Sequence, residues 1–123
     1  MERIEEFSLD GKDFVYLDLS GMSTNNEFSK IAEALKASAA KYPENSLYTI
    51  TNIEGIRFDS EMKFYLVDCM SHNKPYVKYG VMVGFDGIKK SMISSVCDMI
   101  GRSNMHFTFT KEKAIEWLLE QDK

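Results

Sequence analysis

Hydrophobic and polar positions change period several times along the chain, and each change marks an element. In "FSLDGKDFVYLDLSG" an Asp10-Gly11 pair separates two β-prone runs, the strongest short hairpin signal, so residues 3–9 and 13–20 are expected to pair antiparallel. "TNNEFSKIAEALKASAAKY" then repeats at helical spacing, with Phe28, Ile31, Ala32, Leu35 and Ala39 on one face. Thr24 followed by Glu27 reads as a capping box, and Pro43 and Asn45 end the helix. "SLYTITNI", residues 46–53, is the next strand, and a second helix runs from an Asp59 cap to Pro75. "YVKYGVMVGF" is a nearly continuous apolar run, as expected of a central strand covered on both faces. "GIKKSMISSVCDMI" gives a third helix closed by Gly101, with Ile88, Met92, Val96 and Met99 expected against the sheet. "MHFTF" is a short strand, and "TKEKAIEWLLEQ" a last amphipathic helix with Ala114, Ile115 and Leu118 inward.

Strand and helix alternate three times after the hairpin. Right-handed crossovers follow, and with them an α/β fold: a mixed sheet with parallel core strands, an antiparallel N-terminal hairpin strand and about four helices. A chain of 123 residues without a linker or repeat is expected to form one domain over residues 1–123.

Composition narrows the function classes. The net charge is −4 and no Lys/Arg cluster exceeds two adjacent residues, which argues against nucleic acid as a partner. "MERIEEFSLD" lacks the basic-then-apolar layout of a signal peptide, and the longest apolar stretch, "YGVMVGF", falls far short of the ~20 residues that cross a bilayer. A soluble cytoplasmic protein without an integral membrane segment is expected. Cys69 and Cys97 read as reduced, structural thiols, Cys69 on the inward face of its helix and Cys97 at the margin of its own.

Tests for catalytic motifs come out negative. "GFDGIKKS" lacks the Gly-Lys-Ser/Thr triplet of a phosphate loop, no strand is followed by a Gly-x-Gly-x-x-Gly run, and no Gly-x-Ser-x-Gly elbow is present. His72 and His106 have no second His or Cys at ligand spacing, so neither a metal nor a cofactor is implied. Asp18, Asp59 and Asp86 fall at strand ends, where they could act as acids in a small enzyme or, more simply, cap helices and turns. Met62, Met70, Met92 and Met99 project inward on the second and third helices, as core or as the walls of an apolar pocket.

Two surface regions stand out. On the outer side of the second helix Ser60, Phe64, Val67 and Ser71 line up, so Phe64 and Val67 need either a neighbouring element or a partner, including a second copy, to cover them. At the start of the third helix Lys89 and Lys90 put positive charge where the helix dipole disfavours it. With Asp86 and Gly87 they compose a candidate site for a small anion or an acidic partner segment, the alternative being two solvated lysines.

The order of elements, together with "LDLSGM", "IEGIRFDSE", "HNKPYVKYGVMVGFDGIKK" and the closing "GR" plus "EKAIEWL", resembles the STAS family (sulfate transporter and anti-sigma-factor antagonist). The resemblance is to its small STAS/SEC14 or SpoIIAA-like branch. It implies a non-enzymatic, regulatory module that binds a protein partner or a small anionic or lipidic ligand. In anti-sigma-factor antagonists an Asp-Ser-Ser/Thr motif carries the phosphoacceptor hydroxyl; here Asp59 and Ser60 match it and Glu61 takes the place of the second hydroxyl. In the SEC14-related branch the resemblance implies shelter of an apolar ligand.

Overall fold

A computed structural model describes residues 3–57 and 59–121; Phe58, inside one of the strings that carry the resemblance, lies outside the described residues. The hairpin forms as expected. β1 (Ile4–Leu9) and β2 (Lys12–Asp18) are joined by Asp10 and Gly11, both at positive φ (51° and 76°), the turn whose twist matches that of paired strands. α1 (Asn25–Ala39), β3 (Leu47–Asn52), α2 (Ser60–Asn73), β4 (Val77–Val83), α3 (Gly87–Ile100), β5 (Met105–Phe107) and α4 (Lys111–Glu120) follow in order.

The five strands lie in sequential order β1-β2-β3-β4-β5, antiparallel at the hairpin and parallel elsewhere. Crossovers of one hand between successive neighbours place their helices on one face of the sheet. Phe28 of α1, Met62 and Leu66 of α2, and Ile93 and Val96 of α3 accordingly share a core with Leu17 and Met82 of the sheet. α4 packs on the other face, where Ala114 and Leu118 meet Phe14, Tyr48, Ile50, Val81 and Val83. β4 is thus covered on both faces, which is why its sequence is apolar apart from Lys78 near its start. No described helix is long and apolar enough to cross a membrane.

Three local expectations change. In α3 the buried stripe is Ile93, Val96 and Cys97, while Met92 is half-buried and Ile88 and Met99 are exposed. Compact side chains at 93, 96 and 97 let the helix approach the sheet closely, leaving the longer Met99 outside. Cys97 is therefore buried rather than marginal. In α2 Val67 is half-buried against the main core, because α2 lies between α1 and α3 and a neighbouring helix covers that flank. At α1 the Thr24 hydroxyl accepts the Glu27 amide (3.2 Å) and donates to the Glu27 carboxylate (2.8 Å), so the side chains bond each other directly.

Candidate functional site

Parallel strands bring the carboxyl ends of β2 to β5 to one edge, where open α/β sheets place ligands. This rim is a set of stitched turns. Asp18 Oδ1 accepts from the Ser20 amide (2.9 Å) and hydroxyl (2.5 Å), and Arg3 Nη1 donates to the carbonyls of Asp18 (3.0 Å) and Ser20 (3.1 Å). The Leu19 amide donates to Asn52 O, Gly21 to Glu54 O, and Ile53 to Val83 O, tying each loop to the next.

At the head of α2, Asp59 Oδ1 accepts the Met62 amide (2.9 Å) and Oδ2 pairs with Arg57 Nε (3.0 Å). Arg57 Nη2 also donates to Asn25 Oδ1 (3.0 Å), and Asn25 donates to the Glu61 carboxylate. Ser60, the first residue of the helix, is exposed within this network. One turn on, Phe64 is 69% exposed and stands edge-on to Tyr65. Ser60, Glu61, Phe64 and Tyr65 border a shallow depression.

At the head of α3 both lysines have local partners. Asp86 caps the helix, Oδ1 accepting the Lys89 amide at 2.8 Å, and Lys89 Nζ lies 3.4 Å from Oδ2. The Lys89 amide hydrogen bond is the chief reason the Asp86 carboxyl sits below the usual carboxylate range, with the Lys89 charge adding to it. Lys90 Nζ lies over the rings of Phe85 (5.6 Å) and Phe107 (5.4 Å), a cation–π arrangement that offsets an unfavourable helix-dipole position. Phe85 meets Phe107 edge-on and stacks on Phe109 at 5.7 Å. Phe109 is 76% exposed, and Ile88, in the first turn of α3, is 75% exposed.

Asp18, Asp59 and Asp86 are each bonded to a backbone amide of their own turn, the arrangement of capping residues. His72 Nδ1 contacts Asn73 Oδ1 (2.9 Å), and His106 stacks on Trp117 at 4.2 Å on the α4 face, away from the rim. Asp59 and Ser60 come together with Phe64, and Asp86, Gly87, Lys89 and Lys90 with Ile88 and Phe109; Val67 joins neither group. The aromatic cluster of Phe85, Phe107 and Phe109 was not singled out from the sequence. Its signal was alternate aromatics, Phe107 and Phe109, running past the end of a strand.

Both thiols are buried. Burial pushes Cys69 from near 9 up to about 11, and burial also raises Cys97. A thiol that ionises later in the folded than in the unfolded chain contributes stability below pH 9 that is lost as pH rises to 11. A shift of that size is of order 2 kcal/mol. Urea unfolding at pH 8 and pH 10.5 should show this alkaline loss, reduced in Cys69→Ala; an equal loss in both chains would assign it elsewhere.

No protein-family model matches the chain, and no curated protein does. Among solved structures, an anti-sigma-factor antagonist (STAS) domain protein from Planctomyces limnophilus superposes with a TM-score of 0.59 at 12% identity, over 94% of this chain and 97% of the other. Likeness over nearly the full length of both chains, with the same mixed sheet and helix order expected from the sequence, gives this protein a STAS-like fold.

Proposed function

We propose that the protein is a non-enzymatic regulatory module that binds a protein partner through the rim at the strand carboxyl ends. The observation that carries this reading is the placement of exposed apolar side chains. Of the five large hydrophobics exposed on the described surface, Phe64, Ile88 and Phe109 are at this rim, Phe109 stacked on Phe85 within the aromatic cluster that Lys90 covers and Ile88 two residues before that lysine. Exposed apolar groups among fixed charges are what a docking surface needs, whereas the rim aspartates are already committed to capping. The STAS-like fold supports the same class of function, since the similar solved structure is described as an anti-sigma-factor antagonist domain protein.

Lys89 and Lys90 give the surface a basic edge for an acidic partner segment, and Ser60 lies where added charge would act as a switch. A phosphate there would sit on a helix N-terminus near Arg57 yet next to Glu61 and Phe64, weakening an apolar contact. Affinity capture from cells of the source organism tests the reading. Wild type should retain a protein that Phe64→Asp and Phe109→Asp, both folded, lose by about tenfold or more. Capture by the variants equal to wild type would remove the rim from the interaction. If the retained partner is a second copy, sedimentation will show the dimer in wild type and the monomer in both variants.

A further inference from the structure

The sheet ends in two unlike edges. β1 is defended against pairing with a further strand: Glu5 and Glu6 are exposed on it, Lys41 holds Glu6 at 2.9 Å, and Lys111 lies 3.8 Å from Glu5. Charged side chains on an edge strand keep other chains off it. β5 has no such device. From Met105 to Phe109 the chain reads MHFTF, without a lysine, arginine, carboxylate or proline, and its pairing with β4 has no bulge. β5 is three residues long, but its hydrogen bonds to β4 extend from Asn104 O, which accepts the Gly80 amide (3.0 Å), to the Thr108 amide, which donates to Met82 O (3.1 Å). Backbone groups alternate in direction along a strand, so those of Met105 and Phe107 point away from the sheet. Among the described residues no strand lies beyond them, and residues 104–108 are half-buried rather than buried.

The side chains beside this edge define what fits it. Met105 and Phe107 pack towards the core under α3, and Phe109, past the end of the strand, is 76% exposed. Lys90 is exposed with its Nζ 5.4 Å from the centre of the Phe107 ring, and among the described residues no carboxylate pairs with it, since Asp86 is taken by Lys89. We propose that the partner docks by strand addition: an extended acidic segment of another protein pairs with the outer edge of β5 as a sixth strand, setting an Asp or Glu beside Lys90 and apolar residues against Phe107 and Phe109. A second β5 does not meet this requirement, because residues 103–110 contain no carboxylate. The inference rests on the rim reading, since Lys90 and Phe109 belong to both, and adds the mode of docking and the class of partner segment.

The test pans a phage library of random twelve-residue peptides against the immobilised full chain, and the leading peptide is synthesised and titrated into isotope-labelled protein. Enriched sequences are expected to alternate apolar residues with at least one Asp or Glu. On binding, the amides of Met105 and Phe107 should move downfield in the NMR spectrum and exchange about tenfold or more slowly, while those of Ile4 and Glu6 on the β1 edge stay unchanged. An added strand uses one of its own two edges. N-methylation of one alternate set of peptide amides should therefore cost about tenfold or more, and of the other set little. Lys90→Gln should weaken the peptide about two- to fivefold, a difference that shrinks as salt is raised. Equal effects of the two methylated sets, unchanged Met105 and Phe107 amides beside a bound peptide, or enrichment of no such peptide would overturn strand addition. Any of these would leave rim docking standing if Phe64→Asp and Phe109→Asp still lose the captured protein. Growth of wild type into ever larger species in sedimentation would name β1 of a second copy, with its two glutamates, as the occupant and overturn the assignment to another protein.

Discussion

Replacing Gly84 by valine should cost about 2–5 kcal/mol of folding stability and disorder the rim, because two penalties add at one residue. Gly84 has φ +72°, and a Cβ there would lie 2.5 Å from Asn52 Oδ1 and 2.8 Å from Glu54 N. Those atoms form the 3.0 Å hydrogen bond that shapes the loop after β3, so the clash lands on backbone and a fixed amide rather than on a flexible side-chain tip. A β-branched residue also resists left-handed backbone. Gly87, three residues on, provides the contrast. It is at the first position of α3, and an added Cβ would meet nothing within 4 Å. Gly87→Ala should be neutral or stabilise by up to about 1 kcal/mol. Urea midpoints for the two variants check the pair; a Gly84→Val chain within ~0.5 kcal/mol of wild type would show that the turn yields easily.

Leu118→Ala should cost about 2–5 kcal/mol and loosen α4 ahead of the rest of the fold. Leu118 is fully buried, and α4 is the one described helix packed on its face of the sheet. Ten residues are too few for a helix to persist in water without packing. Its C-terminal end is also held by Lys12, whose Nζ donates to the carbonyls of Leu119 (3.3 Å) and Gln121 (3.0 Å). Loss of the leucine leaves a cavity over Phe14, Tyr48 and Val81, and hydrogen exchange should accelerate across α4 while α1 to α3 stay protected. Uniform acceleration over all four helices would mean that the two faces unfold as one unit.

The fold was legible where local chemistry admits one solution. Asp10-Gly11 dictates a hairpin turn, Asp59 and Asp86 cap the helices they precede, and Gly101 ends α3 at φ 72°. Facing directions were harder to read. α3 carries two overlapping apolar stripes, and sequence spacing alone does not say whether Met99 or Ile93 meets the sheet; how closely the helix approaches decides it. Val67 illustrates the same gap, since its cover comes from a neighbouring helix that an isolated projection of α2 leaves out. The crossover topology by itself brings the heads of α2 and α3 to one edge of the sheet, but it does not reveal what the Lys90 side chain meets, because Phe107 is distant in sequence and reaches Lys90 only through the β4–β5 pairing. Arg102 follows the Gly101 cap, and nothing in that local sequence signals that its side chain is buried.

Site-specific photo-crosslinking tests the docking surface most directly. A photoreactive phenylalanine analogue placed in turn at Phe64, Ile88 and Phe109, and at the exposed Glu44 on the opposite edge of the sheet, would be irradiated in cells of the source organism. The rim positions should yield one and the same discrete adduct and Glu44 none. Adducts from Glu44 alone, or unrelated adducts from the three rim positions, would contradict a docking role for this edge.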